Sequence, residues 1–329
     1  MNLFMSIIQK SIYEKKNLMF IKEGEEMQEK DCLILQYLYE ELNLTKAAER
    51  VYMTQPALTY RLRQLEREFQ VEIISKNGKR VKFTPAGEYL VSYANKYLSD
   101  FREAKDYLLN MGDEVKGNLR IGVSSHFCQY NLPPILKEYT ANYPNVHLNV
   151  DSGFSKEMMG LLNDGEIDVA IVRGDYNWSD KSYLLDEESI CLITKQEINI
   201  EDLPSLPFIN RKEPFVLIKY KNSKELSDVE NISSWWNERY ETSPNTTMLV
   251  DSYETCKEMV KMGLGFSIVP QAFIHNHDHD HLFCYDLAYK NGQKMKKRTW
   301  LLYRESSLQL AAIFKFVESI KALYYIKKD

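Results

Sequence analysis

Leu44-Thr45-Lys46-Ala47-Ala48-Glu49-Arg50-Val51, followed two residues later by Thr54-Gln55-Pro56-Ala57-Leu58-Thr59-Tyr60-Arg61-Leu62-Arg63-Gln64-Leu65-Glu66, decides the fold of the N-terminal part of this 329-residue chain. The first run predicts a short helix over 46–51, capped by Thr45, with small Ala47 and Ala48 allowing close packing. Thr54 caps a second helix that begins Gln55-Pro56, proline being tolerated in the first turn. Its apolar residues Leu58, Leu62, Leu65 and Phe69 are spaced four, three, four, a single stripe. The opposite face carries Pro56, Tyr60, Arg63 and Arg67, with Thr59 on its flank.

Outward from this pair, residues 31–42 predict a preceding helix with Leu33, Ile34, Tyr37 and Leu38 as its apolar positions. Downstream, 71–74 and 81–83 read as two strands of a hairpin joined through Asn77-Gly78, with a basic tip of Lys76, Lys79 and Arg80. Thr84-Pro85 opens a long helix to about Met111, stopped by Gly112. In it Leu90, Ala94, Tyr97, Phe101, Ala104 and Leu108 alternate steps of four and three, a seam suited to another helix. Three helices and a basic hairpin predict a winged helix-turn-helix. Gln55 and Thr59 suit base edges, Arg63 and Arg67 bases or phosphates, and Lys79 and Arg80 phosphates; Tyr60 suits a sugar or a thymine methyl. The competing reading is a small helical subdomain with a solvated basic face.

Whole-chain charge argues against a nucleic-acid binder: 42 basic and 47 acidic residues give a net −5. The distribution argues otherwise. Residues 45–82 hold nine Lys/Arg against four Asp/Glu, so a basic module sits on an acidic body. Mean hydropathy is −0.43, and no stretch approaches the roughly 20 apolar residues of a membrane span. Cys32, Cys128, Cys191, Cys256 and Cys284 are odd in number and form no C-x-x-C, which fits reduced cytoplasmic thiols better than a disulfide framework or zinc site. Residues 1–26 read as an extension. Lys22-Glu23-Gly24-Glu25-Glu26 before Met27 is what a translated ribosome-binding site would look like, which makes Met27 the expected start; a real amphipathic or disordered tail is the alternative.

After Gly117 the pattern changes. Strands at 119–124, 146–151 and 168–173 alternate with helices at 132–143 and 156–163, which implies a parallel sheet. A second set follows, with strands at 189–194, 208–211, 215–219, 247–250 and 266–269 and helices at 233–239 and 253–262, before a final strand at 298–303 and helix at 308–322.

The chain resembles the LysR-type transcriptional regulator family. The resemblance rests on Leu44–Val51, on Thr54-Gln55-Pro56-Ala57-Leu58-Thr59 with Leu65-Glu66, and on Phe83-Thr84-Pro85-Ala86-Gly87-Glu88. It continues through Gly117-Asn118-Leu119-Arg120-Ile121-Gly122 and Gly263-Leu264-Gly265-Phe266-Ser267-Ile268-Val269-Pro270. It covers the chain from about Met27 to the C-terminus. Tyr60, where the family usually has Arg, and Ile73-Ile74-Ser75-Lys76 in the wing depart from it. The resemblance implies an α/β protein: a DNA-binding domain over 27–84, a linker and dimerisation helix over 85–116, and an effector domain over 117–329 similar to periplasmic binding proteins. Its subdomain I would hold 117–190 and 280–329, and subdomain II 191–279. The resemblance also implies promoter DNA and a small coinducer as partners, and tetramers assembled as pairs of dimers in a bacterial cytoplasm. Ser124, Ser125, Ser152 and Gly153 sit at predicted strand ends, where free N–H groups favour an anion. Matching to the family sets Asn210-Arg211 opposite them. An ordinary cap or turn role for each serine competes with the binding role.

The tract His275-Asn276-His277-Asp278-His279-Asp280-His281 would, if extended, place four imidazoles on one side as a nickel, copper or zinc site; a polar surface loop is the favoured reading, and no metal or cofactor is expected. Gly263-x-Gly265 precedes a strand and is no dinucleotide fingerprint, and no nucleophile elbow, zinc-protease or phosphate-loop motif occurs, so an enzyme is not expected. A small-molecule sensor without DNA-directed regulation is the second functional class.

Overall fold

The computed structural model describes residues 27–77, 80–109, 114–212 and 228–326. They form two compact units, one ending at Lys105 and the other beginning at Asp106. The N-terminal extension, the 215–219 strand and Lys79 lie outside the described residues.

In the first unit α1 (Glu29–Glu41), α2 (Leu44–Arg50) and α3 (Gln55–Phe69) precede a hairpin of β1 (Ile74–Asn77) and β2 (Arg80–Phe83), and α4 (Pro85–Leu109) follows. The cap of α2 is Asn43, not Thr45: the Asn43 side chain accepts from the N–H groups of Thr45 and Lys46. Thr54 caps α3 as expected, accepting from Ala57 N–H. Leu58, Leu62 and Leu65 are buried with Leu35, Leu38, Ala47, Ile73 and Phe83, whereas Phe69 at the end of the stripe is exposed. The first wing strand starts at Ile74, later than expected. The Ile73 N–H goes to Glu66 Oε1, 3.0 Å away, and its carbonyl accepts from the Thr84 N–H, so the preceding residues are held by capping contacts and not by a ladder. Gly87 is required here, because a Cβ would lie 2.1 Å from the Ile73 carbonyl oxygen. Asp31, buried in α1, takes a two-pronged contact from Arg61 of α3 (Nε–Oδ1 2.6 Å, Nη2–Oδ2 2.6 Å), which fixes the rotation of α3.

The second unit contains β3 (Gly117–Ser124), α5 (Ser125–Tyr130), α6 (Leu132–Asn142), β4 (Val146–Gly153), α7 (Ser155–Asn163), β5 (Val169–Arg173) and β6 (Lys181–Thr194). Then come β7 (Phe208–Arg211), α8 (Asp228–Asn237), β8 (Thr246–Val250), α9 (Tyr253–Lys261), β9 (Ser267–Pro270), β10 (Phe283–Asp286), β11 (Lys296–Tyr303) and α10 (Ala311–Ile326). Sheet order is β10-β6-β11-β5-β3-β4, with β9 also on β6; β3 is parallel to β4 and β5, and β11 antiparallel to β5 and β6. β6 is much longer than the expected 189–194, because its first half pairs with β11 and its second half with β9 and β10. It therefore runs through both subdomains.

The expected return to subdomain I at residue 280 is overturned. β10 pairs with Cys191–Thr194, and Leu287 and Met295 pack with Ile190, Leu203, Trp235 and Phe266. The chain re-enters the first sheet only at β11. The first subdomain buries Leu119, Ile121 and Val123 under Ile313, Phe316 and Val317 of α10. Gly265 is tied to its site: φ is 151° and a Cβ would meet the Pro207 carbonyl oxygen at 2.2 Å.

Candidate nucleic-acid interface and ligand cleft

On α3, Thr54, Gln55, Pro56, Tyr60, Arg63 and Arg67 are exposed and Thr59 is half-buried. This distribution follows from the helical stripe, since burying Leu58, Leu62 and Leu65 turns these residues outward. Gln55 Nε2 donates to Thr59 Oγ1 at 3.0 Å, so the two expected base readers are one turn apart and already joined. Gln64 Nε2 donates to Tyr60 Oη at 3.2 Å, and Arg67 Nε to the Arg63 carbonyl at 3.2 Å. Arg80 lies on β2 opposite Asn77. Hydroxyl, amide and guanidinium groups thus share one solvent-facing side of a helix end, the combination suited to base edges and phosphates.

The expected seam of α4 divides. Leu90 and Ala94 are buried in the first unit with Val91 and Leu98, whereas Tyr97, Phe101, Ala104 and Leu108 are exposed. Tyr89 and Tyr93 extend the exposed row at four-residue spacing, and the Tyr97 and Phe101 rings stack at 6.4 Å.

In the second unit Ser124 ends β3 and pairs in register with Gly153 of β4. Ser124 is buried, and among the described residues its Oγ has no hydrogen-bond partner. Ser125 opens α5, and its hydroxyl donates to the Gly153 carbonyl at 3.1 Å. Ser152 is exposed and pairs with Val123, whose side chain joins the core on the other face of the sheet from Ser124. The structure therefore brings Ser124, Ser125 and Gly153 together and leaves Ser152 on the opposite face. Asn210 and Arg211 end β7, paired with Leu249 and Val250 of β8. The Arg211 guanidinium lies 4.7 Å from the centre of the Tyr253 ring.

Sequence reasoning missed the groups that join the two subdomains. His126 Nε2 is 3.1 Å from the Ala272 carbonyl oxygen, and the Ala272 N–H donates to Glu188. Glu188 also forms an ion pair with the buried Arg173 at the end of β5. The His126 ring is 4.3 Å from Phe273, which is 5.0 Å from Tyr253. Burial, with the Arg173 charge adding to it, brings the His126 pKa down to about 4, so the imidazole is neutral at pH 7. The available signal was Arg173 itself, a charge closing an otherwise apolar strand.

The histidine tract does not run extended. Asn276–Asp278 form a single 3-10 turn, with His277 exposed. Asp278 is fully buried and accepts from Lys257 Nζ, Lys261 Nζ and the His275 N–H, each at 2.9 Å. Burial opposes its charge, but these donors hold its carboxyl well below the usual carboxylate range. Among the described residues no group of three or more His, Cys, Asp or Glu could hold a metal ion. Among them, too, no helix is long and apolar enough to cross a membrane.

Comparison with known proteins gives two family matches. Residues 30–88 match the bacterial regulatory helix-turn-helix protein model of the lysR family, and 112–324 match the LysR substrate binding domain. The HTH-type transcriptional regulator YraN of Bacillus subtilis is 40% identical over 295 residues, covering 90% of this chain and 98% of that protein. YkuM of the same organism, also named an HTH-type transcriptional regulator, is 32% identical over 295 residues, 90% of this chain and 97% of that protein. Among solved structures, a full-length OxyR variant from Pseudomonas aeruginosa aligns with a TM-score of 0.59 at 19% identity, covering 90% of this chain and 98% of that one. Full-length CbnR complexed with its target DNA aligns at 0.56 and 16% identity, covering 90% and 99%.

Proposed function

The chain belongs to the LysR family of bacterial regulatory helix-turn-helix proteins, and from that premise we propose that α3 reads promoter DNA under the control of a small anionic coinducer bound in the second unit. The observation that carries the DNA reading is the Thr54-capped end of α3, with the joined Gln55–Thr59 pair beside exposed Arg63. Thr54, Pro56 and Tyr60 flank that pair, and Arg67, Lys79 and Arg80 supply phosphate contacts. CbnR was solved on its target DNA, which supports the same use of this fold.

The coinducer site is assigned to Ser124, Ser125 and Gly153 on one side and Asn210-Arg211 on the other, and Ser152, on the opposite face of the sheet, is left out of it. The buried, unpartnered Ser124 hydroxyl supports this assignment, because such a group gains from a ligand acceptor. Residues 27–84 form the DNA-binding domain, 85–116 the linker and dimerisation segment that holds α4, and 117–329 the effector domain. The exposed aromatic row of α4 pairs two chains, effector-domain contacts join dimers into tetramers, and the protein works in the cytoplasm.

Titrating labelled promoter fragments with the full chain at two salt concentrations tests the DNA reading, since affinity falls steeply with salt where phosphates are neutralised. A thermal-shift screen of the full chain against carboxylate metabolites tests the cleft. Salt-independent affinity, or no metabolite shifting the melt, would overturn the respective assignment.

A further inference from the structure

The turn between α2 and α3 ends α2 with two paired contacts: the Met53 N–H donates to the Ala48 carbonyl at 2.9 Å and the Tyr52 N–H to the Glu49 carbonyl at 3.1 Å. This double closure requires a left-handed residue at its centre, a place where glycine or asparagine is cheapest. Tyr52 occupies it with φ 54°. Leu42 and Gln70 adopt similar angles at other helix ends, but Tyr52 is 96% exposed, more than any other large hydrophobic residue among those described. Among the described residues its hydroxyl has no protein partner. The side chain thus assists neither the backbone geometry nor the core. It stands two residues before the Thr54 cap, in the turn that leads into α3.

We propose that Tyr52 is a DNA-contacting residue whose hydroxyl donates a hydrogen bond to a phosphate oxygen beside the groove that receives α3. The proposal rests on the DNA-reading assignment above. The chemistry is that of a neutral donor to an anionic oxygen, which sets the register of the protein on the duplex and carries no base information. The contact adds affinity without releasing a counterion, because Tyr52 is uncharged.

The test needs no known operator, since a phosphate contact acts on any duplex. Full-length wild type, Tyr52→Phe and Tyr52→Asn are titrated against a fluorescein-labelled duplex of random sequence at several salt concentrations, alongside thermal melts. Both variants are expected to bind about five- to tenfold more weakly, the size of a typical single hydrogen bond, with the wild-type salt slope. Tyr52→Asn is expected to melt at or above the wild-type temperature, because asparagine tolerates the left-handed turn. Full affinity in Tyr52→Phe overturns the hydroxyl contact, and full affinity in Tyr52→Asn overturns any contact. A lowered melt in Tyr52→Asn that tracks the binding loss makes the role structural and overturns the proposal. A wild-type chain that leaves the duplex unbound at low salt overturns the DNA reading itself, and this contact with it.

Discussion

His126 at the start of α5 and Ala272 beyond β9 are joined across the two subdomains by a hydrogen bond of 3.1 Å, while the N–H of the same Ala272 is held by Glu188. Both polar groups of one peptide segment are thus gripped by side chains from the other half of the unit or from the strand that links the halves. Any effector that changes the angle between the subdomains must work against this clasp.

The clasp gives the protein an acid sensitivity with a defined sign. His126 has a folded pKa near 4, below its ordinary value of about 6.5. The unfolded chain therefore binds more protons between those values. The associated stability is complete above about pH 6.5 and is lost as pH falls toward 4. Thermal melts from pH 7 to 4.5 should show a loss of about 1–2 kcal/mol, after discounting for partial solvent access. His126→Gln should flatten that dependence; an unchanged slope would remove His126 as its source.

Truncating the Ser124 hydroxyl should separate stability from response. Its Oγ is buried and unpartnered, so Ser124→Ala is expected to leave the melt unchanged or raise stability by up to about 1 kcal/mol. Ser125→Ala and Arg211→Ala, like Ser124→Ala, should abolish the coinducer's effect on reporter transcription while operator binding without ligand persists. Unchanged responses in all three would place the site elsewhere.

Base reading should be coupled between Gln55 and Thr59. Each alanine variant should lose about 1–3 kcal/mol on the operator and much less on random DNA. The double variant should lose less than the sum, because Gln55 is oriented by Thr59. Lys79→Ala or Arg80→Ala should weaken all sequences alike. Competition binding with operator and random duplexes distinguishes the two patterns.

The two halves of the α4 seam should respond differently. Phe101→Asp, on the exposed row, should reduce self-association in sedimentation and operator binding while leaving the melt nearly unchanged. Leu90→Ala, inside the first unit's core, should cost about 2–5 kcal/mol of stability. A fully oligomeric Phe101→Asp chain would discard the seam.

Removing the Asp278 carboxylate should be severe. Lys257 is buried beside it, and Asp278→Asn would leave that ammonium without its counter-charge, a loss of about 3–5 kcal/mol. Denaturant titration measures this. A drop under about 1 kcal/mol would mean that water reaches the pair.

Sequence alone determined the first unit almost completely. Its elements are short-range objects. The Thr54 cap, the Leu58-Leu62-Leu65 stripe and the Thr84-Pro85 helix start each depend on neighbours within a turn or two, so spacing was enough. Its misses at element ends were of the same local kind, Asn43 capping in place of Thr45 and β1 starting at Ile74. The alternation of strands and helices after Gly117 likewise announced the parallel set β3, β4 and β5, but not that β6 and β11 complete the sheet antiparallel to it. Which strand-end residues share a face was set by the pairing of strands: Ser124 beside Gly153, with Ser152 turned away, follows from inter-strand register. Only the tertiary structure showed that half of the α4 seam is internal, that residues 282–295 stay with the second subdomain, and that His126, Arg173, Glu188 and Ala272 meet. Those contacts join positions up to 146 residues apart. Their energy lies in burial and charge pairing that exist once the sheet has closed, and no local spacing records them.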